Sequence, residues 1–163
     1  MSARIELRFG PMKLGEALTL RKDLQVRIEQ IRARLRASAV AQEGEEPVED
    51  PNAMLEELGR LADELERVIE RINRTNLATM LPDGRSLTTA LARRDSLNLR
   101  QTVLRQLADA AGERQQRYGR AEIRILPTVN VAAIRRQIDG LAQERRLLDA
   151  ALQETNWTTD LLD

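Results

Sequence analysis

The sequence contains neither cysteine nor histidine among its 163 residues. The absence of cysteine excludes disulfide bonds, thiolate metal sites and cysteine nucleophiles. The absence of histidine removes the commonest general base and the commonest ligand of transition metals. Nothing in the spacing of the remaining carboxylates and hydroxyls selects a catalytic group. We therefore predict that the protein is not an enzyme, binds no metal and uses no cofactor.

Aromatic residues are also scarce, at 2% of the chain: Phe9, Tyr118 and Trp157. The core must therefore consist mainly of aliphatic side chains. Apolar residues make up an ordinary 42% of the sequence and charged residues 32%. High contents of Ala, Leu, Glu and Arg with few aromatic residues are typical of long helices or a coiled coil. A chain of this length is most simply one domain. We predict a single helical domain over residues 12–163.

Long apolar runs are absent, because no stretch reaches the ~18 residues that a membrane-spanning helix needs. Residues 1–11 also lack the apolar segment of a secretory signal. We interpret residues 1–11 as an N-terminal extension. A cytoplasmic protein without a membrane partner is the expectation.

Basic and acidic residues are equal in number but unevenly distributed, and only Lys13 and Lys22 among the 26 basic residues are lysine. Residues 12–41 and 71–120 carry net positive charge, whereas residues 42–70 carry strong net negative charge. Neighbouring elements thus alternate in sign. This pattern favours attraction between adjacent helices or subunits over a field directed at nucleic acid.

Apolar residues recur at spacings of three and four in four segments, which predicts four long helices. They extend over residues 14–41, 53–76, 87–111 and 131–154. The second has the clearest apolar series, and the fourth has the charged Arg145 within its series. The four series are Leu24, Ile28, Ile31 and Leu35; Leu58, Leu61, Leu65, Val68 and Ile72; Leu87, Leu91, Leu97, Leu104, Leu107 and Ala111, widened by Leu99 and Val103; and Val131, Ile134, Ile138, Leu141, Leu148 and Leu152.

The segments between these helices contain turn and capping signals. Residues 43–51 hold five carboxylates, two prolines and a glycine, and they lack the spacing of a calcium loop, so we interpret them as a solvated loop. Asp50 is expected to cap the second helix. A turn is expected at residues 81–84, where Pro sets φ and Gly supplies a positive φ. Ser86 or Thr88 is expected to cap the third helix, Gly112 to end it, and Asn130 to cap the fourth.

The predicted fold class is mainly α, with the four helices arranged as two antiparallel hairpins in a bundle or coiled-coil-like arrangement. Residues 3–9 and 121–126 alternate between apolar and polar side chains, as short strands do. Together with residues 78–82, they could form a small β element at one end of the helices.

Six short sequences, taken together, resemble a known family of small bacterial proteins. The members of that family are mostly uncharacterised, and some carry the name septicolysin. The resemblance covers nearly all of the chain from Met12 onward, and it implies an all-α or nearly all-α fold, an actinobacterial origin and no established activity. We do not expect the cytolysin that the name suggests, because the chain lacks an export signal and an apolar hairpin. The sequences are Met-Lys-Leu-Gly-Glu-Ala-Leu from Met12, Glu-Gly-Glu-Glu-Pro from Glu43, Arg-Ile-Asn-Arg-Thr-Asn from Arg71, Asp-Gly-Arg-Ser-Leu from Asp83, Arg-Arg-Asp from Arg93 and Asn-Trp-Thr-Thr-Asp-Leu from Asn156.

Residues 71–95 form the densest run of hydrogen-bonding side chains in the sequence. Arginine forks here could bind phosphate or carboxylate, with the N-terminal amides of the third helix behind them. Alternatively, these groups end the second helix, satisfy the turn backbone and make subunit contacts. We favour the structural interpretation and keep the anion site as the alternative. The candidate ligand or interface residues are Asn73, Arg74, Asn76, Asp83, Arg85, Arg93, Arg94 and Asp95.

The leading functional hypothesis is a self-assembling structural or interaction protein, a homo-oligomer of two or more copies. The long apolar series, the alternating charge and the scarcity of large side chains favour it. The second hypothesis is a binding module for a small anion at the Arg71–Asp95 junction. The third is nucleic-acid binding through the basic residues 93–120, and it lacks a base-reading motif and aromatic residues for stacking. We therefore do not expect nucleic acid as a partner.

Overall fold

The structure is a computed structural model that describes residues 12–45, 47–116 and 126–163, without the side chains of residues 113–116. The described residues contain no β-strand, and their only extended pairings are two isolated bridges. No helix among them is long and apolar enough to cross a membrane. The predicted mainly α fold class is confirmed. The helices are α1 (Leu14–Ala37), α2 (Pro51–Ala78), α3 (Leu87–Gln116) and α4 (Val131–Thr158).

The chain divides into two compact units. The first contains the described residues up to Thr79 together with Thr155–Asp163, so the last turn of α4 and the tail that follows belong to it. The second unit is Met80–Glu154. The single domain over residues 12–163 stays a prediction.

In the first unit, α1 and α2 pack against each other as an antiparallel hairpin. Most of their buried residues recur at every seventh position, and seven residues make nearly two helical turns, so each series lies on one face. The buried side chains are almost all aliphatic, as the scarcity of aromatic residues requires. The two series are Ala17, Leu24 and Ile31 in α1, and Met54, Leu61, Val68 and Thr75 in α2.

Three predicted helix caps are confirmed. The Asp50 side chain accepts a hydrogen bond of 2.9 Å from the Asn52 amide, with Pro51 as the first helical residue of α2. Ser86 Oγ accepts from the Thr89 amide at 3.2 Å. Asn130 Oδ1 accepts from the Ala133 amide at 3.0 Å. Each cap satisfies an amide that has no partner within the helix, so these polar side chains fix where α2, α3 and α4 begin.

The predicted turn precedes α3 in the second unit. The Gly84 amide donates to the Leu81 carbonyl at 2.9 Å, and the Leu81 amide donates to the Arg85 carbonyl at 2.8 Å. Gly84 has a φ of 82°, which a side chain would disfavour. Of the predicted β element, residues 78–82 provide only the bridge between Met80 and Ser86. The predicted pieces at 3–9 and 121–125 lie outside the described residues.

The helices α3 and α4 form the second antiparallel hairpin, since a residue near the start of α3 contacts a later residue of α4 and a residue further along α3 contacts an earlier one. Arg93 pairs with Glu144, and the Gln101 side chain donates to the Ile138 carbonyl. The residues that α3 buries are spaced by three, seven, four and seven: Leu87, Ala90, Leu97, Gln101 and Ala108.

The structure corrects three details of the sequence prediction. Leu107, predicted on the buried face of α3, and Leu99 and Val103, predicted to widen it, are 41%, 66% and 54% exposed. At 100° per residue, Leu99 and Val103 lie on the side of α3 away from Leu97 and Gln101, and Leu107 lies about 80° around the helix from Leu97. Gly112 does not end the helix, which continues to Gln116, because one glycine costs a long helix only about 1 kcal/mol. The first helix ends at Ala37 rather than Ala41.

Candidate functional site

The structure places three of the eight predicted site residues in the last turns of α2, within the first unit. Asn73 and Arg74 are exposed, and Asn76 is half-buried. The Arg74 guanidinium donates to Glu70 Oε1 at 2.7 Å and also to the main-chain oxygen of Asp163. Arg74 is therefore engaged by the C-terminal tail and by its own helix.

The tail, residues 159–163, runs antiparallel to the residues that lead into α1. The Leu14 amide donates to the Thr159 carbonyl at 3.0 Å, and the Leu161 amide donates to the Met12 carbonyl at 2.8 Å. Between these two bonds, Lys13 Nζ lies 2.7 Å from Asp160 Oδ1. Two main-chain hydrogen bonds and one ion pair thus attach the tail to the start of α1.

The same tail is held on its other side by α2. The Leu162 amide donates to Thr75 Oγ1 at 2.9 Å, and the Thr75 hydroxyl donates to the Arg71 carbonyl at 2.8 Å. Arg71 Nε donates to the Leu162 carbonyl at 3.0 Å, and its Nη2 lies 2.8 Å from Asp163 Oδ1. Thr75 is fully buried and Leu161 nearly so. We call this arrangement of residues 12–14, Arg71, Arg74 and Thr75 around residues 159–163 the tail clasp.

Sequence reasoning did not identify the tail clasp. Its strongest sequence signal is Thr75, a hydroxyl that falls on the buried seven-residue series of α2. A polar residue at such a position usually has a specific hydrogen-bond partner. That partner, Leu162, lies 87 residues away in the sequence, so local patterns could not reveal it.

The other five predicted site residues lie in the second unit, in the turn and the first turns of α3. Asp83 accepts hydrogen bonds from the amide of Arg85 at 3.0 Å and from its Nε at 2.9 Å. The side-chain hydrogen bonds from Arg85 lower the pKa of the Asp83 carboxyl, and those to Asp83 raise the pKa of Arg85. The pair therefore stays charged and stabilises the turn.

Arg93 holds Glu144 of α4 in a two-pronged ion pair. Its Nε donates to Oε1 at 2.8 Å and its Nη2 to Oε2 at 2.9 Å. The negative charge of Glu144 also contributes to the raised pKa of Arg85. Arg85 and Arg93 therefore both interact electrostatically with the same carboxylate. Arg94 donates to its neighbour Asp95 at 3.1 Å. Sequence reasoning missed Glu144, which lies 51 residues beyond Arg93.

Polar side chains also interrupt the apolar face between α3 and α4. Arg145, the predicted charged position, is half-buried and donates from Nη1 to Asn98 Oδ1 at 3.1 Å. Gln101 is 1% exposed and donates to the Ile138 carbonyl at 3.3 Å. Its Oε1 has no hydrogen-bond partner among the described residues. Such groups favour one register of the two helices over its alternatives.

Chemically, these arginines act as partners of carboxylates and main-chain carbonyls of the same chain. A small anion at Arg85 or Arg93 would compete with Asp83 or Glu144. Among the described residues, no group of three or more carboxylates is arranged to hold a metal ion. The contacts fit capping, turn formation and helix pairing. The eight residues remain a predicted site, divided between the two units.

Comparison with known proteins gives a family and a fold. The sequence model of a family of unknown function, DUF6847, matches residues 21–161. A crystal structure of a functionally unknown conserved protein from Corynebacterium diphtheriae is similar, with a TM-score of 0.89 and 38% sequence identity, over 94% of this chain and 100% of that chain. No curated protein matches the chain. These matches confirm the predicted resemblance to an uncharacterised bacterial family.

Proposed function

Because the chain belongs to DUF6847, a family of unknown function, we propose on physical grounds that it is a self-assembling structural protein of the cytoplasm, without catalytic activity. The observation that carries this proposal is an uncharged, largely exposed stripe along α3. The stripe consists of Ala92, Ser96, Leu99, Val103, Leu107 and Ala110, and all but Ser96 are exposed.

The α3 stripe has the spacing of a helix-pairing surface. Its members follow one another at intervals of four, three, four, four and three residues, so they lie along one side of the helix. From Ala92 to Ala110 the stripe extends about 27 Å. Its three large side chains, Leu99, Val103 and Leu107, form one continuous row, unlike exposed apolar residues that are scattered singly.

A second copy of the chain is the occupant that fits this stripe. In a two-fold symmetric dimer the same patch faces itself, so a self-complementary surface suffices. Small residues at both ends of the stripe would let the two helices approach closely, and the aliphatic row at its centre would supply the apolar burial. Since these side chains are already about half covered, each contributes roughly half of the ~1.5–3 kcal/mol gained by burying a fully exposed one.

The test is multi-angle light scattering with size-exclusion chromatography, at micromolar concentration, of the wild type and of the triple variant Leu99→Gln/Val103→Gln/Leu107→Gln. We expect an oligomer for the wild type and a species of 18.5 kDa, the chain mass, for the variant. Association should weaken by at least ~100-fold, since three apolar contacts are lost. The substituted positions are exposed, so the variant should keep its helical circular dichroism spectrum.

Leu147→Gln is the matched control, because Leu147 is an exposed leucine of α4 outside the stripe. It should leave the wild-type mass unchanged. A wild type that is monomeric throughout the concentration series would refute the proposal. The name septicolysin, which only the sequence resemblance suggested, would instead imply membrane lysis. Release of an encapsulated dye from lipid vesicles by the wild type would therefore favour that alternative.

A further inference from the structure

The tail clasp has the contacts of a peptide-recognition site whose occupant is part of the same chain. Residues 159–163 are extended, and they are held mainly through their main chain, by Met12, Leu14, Arg71, Arg74 and Thr75. Main-chain pairing with an exposed edge is a recurring mode of peptide binding, in which pockets and charges for alternate side chains add specificity.

Three side chains of the tail supply that specificity. Asp160 pairs with Lys13, and Asp163 pairs with Arg71. Between them, Leu161 is the buried side chain, with 8% of its surface exposed. The ligand class is therefore an extended segment with one buried leucine and carboxylates one position before it and two positions after it. This chain provides that segment itself, as Asp160-Leu161-Leu162-Asp163.

We propose that the clasp also accepts residues 159–163 of a second copy when the tail of its own chain is displaced, so that two chains can then exchange their tails. The inference rests on the proposed self-assembly and names a contact for it other than the α3 stripe. In a reciprocal exchange every hydrogen bond and ion pair of the clasp is kept, because an identical segment replaces the original one. The exchange needs a change in main-chain direction where α4 ends, at Thr158 and Thr159.

A tail on its own chain has the advantage of proximity. We call the residues of the clasp that surround the tail, residues 12–14, Arg71, Arg74 and Thr75, the groove. Tethering gives the tail an effective concentration on the order of millimolar at the groove of its own chain, so a free peptide competes poorly. An exchange is therefore best detected when the charges of a tail repel the groove of its own chain and attract the groove of another chain. The two ion pairs of the clasp allow that design, since their charges can be reversed separately.

The experiment uses two full-length proteins, each also carrying the three glutamine substitutions that silence the α3 stripe. One has a reversed tail, Asp160→Lys/Asp163→Lys. The other has a reversed groove, Lys13→Asp/Arg71→Asp. In each protein alone, like charges oppose the tail and its own groove. In an equimolar mixture, both grooves meet a tail of opposite charge on the other chain.

We expect each protein alone to be a monomer and the mixture to contain a species of twice the 18.5 kDa chain mass by light scattering. The control mixes either protein with the chain that carries only the three glutamine substitutions. This mixture should give no such species, because the groove of that chain is filled by its own matched tail. A mixture that remains monomeric while both proteins keep their helical circular dichroism would overturn the proposal.

A second pair of variants keeps the test decisive if Arg71→Asp unfolds the protein, since the Arg71 side chain is only 13% exposed. Lys13→Asp and Asp160→Lys reverse the other ion pair, whose side chains are 42% and 75% exposed. A monomeric mixture of this pair would equally overturn tail exchange. Failure of the α3 stripe would appear separately, as a monomeric wild type, because the exchange is measured with the stripe removed.

Discussion

At the scale of single residues, Gly15 packs closely against Trp157. A Cβ atom on Gly15 would lie 2.9 Å from both Cδ2 and Cε3 of the indole ring and 3.2 Å from the carbonyl oxygen of Asn156. Trp157 is itself 60% exposed. Its ring lies over the first turn of α1, where only a glycine leaves room for it.

Gly15→Ala should therefore lower the free energy of unfolding by about 1–3 kcal/mol, since the ring or the backbone must move to admit the methyl group. Gly59→Ala is the control, because a Cβ on that α2 residue would meet nothing within 4 Å. It should raise the free energy of unfolding by about 0.5–1 kcal/mol. Chemical denaturation of both variants measures the difference, and equal effects would contradict the packing argument.

At the scale of helices and loops, an ion pair joins the end of α1 to the loop before α2. Arg34 Nε donates to both carboxylate oxygens of Glu49, at 3.1 and 2.9 Å, and Nη2 also contacts Oε1. These hydrogen bonds hold the pKa of Glu49 below its ordinary value of 4.5. A lowered carboxyl pKa stabilises the folded state above the ordinary pKa, and the contribution is lost as the pH falls through the lowered value.

Glu49→Gln should consequently lower the melting temperature at about pH 7, and the difference from the wild type should shrink towards about pH 3. Glu45→Gln, in the same loop, is the matched control and should show a smaller difference at neutral pH. Thermal unfolding followed by circular dichroism at both pH values provides the measurement. A difference that is constant with pH would exclude this ion pair as its source.

Helices and caps were predictable to the extent that their signals are local. Asp50, Ser86 and Asn130 cap as expected because each side chain reaches an amide within three residues. The α3 helix was harder to predict because it has two apolar sides. Periodicity alone could not decide that Ala90 and Gln101 are buried while Leu99 and Val103 are exposed.

The candidate site was less predictable than the helices, because its contacts join distant parts of the chain. Arg74 was identified as a candidate, but its interaction with Asp163 spans 89 residues. Arg93 was identified too, without its partner Glu144. The residue types were therefore readable from sequence, while their partners depended on how the helices pack.

At the scale of the whole molecule, charged and uncharged surfaces make different kinds of contact. The helix α1, which has a net positive charge, packs against α2, which has a net negative charge. Part of the alternation in charge therefore attracts two helices of the same hairpin to each other. The α3 stripe, by contrast, contains no charged residue. The two kinds of contact should therefore respond differently to salt, because ions screen charges but leave apolar burial intact.

Self-association through the α3 stripe should accordingly be as strong at about 0.5 M salt as at about 0.05 M salt. Sedimentation velocity over a dilution series at both salt concentrations measures the dissociation constant. A dissociation constant that rises at least tenfold with salt would assign the assembly to charged surfaces instead.

The tail clasp also sets an order of events for a chain that is still being made. Lys13 and Asp160 are 147 residues apart, so the hairpin of α1 and α2 leaves the ribosome long before the segment that completes it. Synthesis proceeds at about 5–20 residues per second, so roughly ten seconds pass between the last turn of α2 and the tail. During that interval Thr75 and the residues around it lack their final partner. The hairpin of α1 and α2 is therefore synthesised before α3 and α4 but is completed after them.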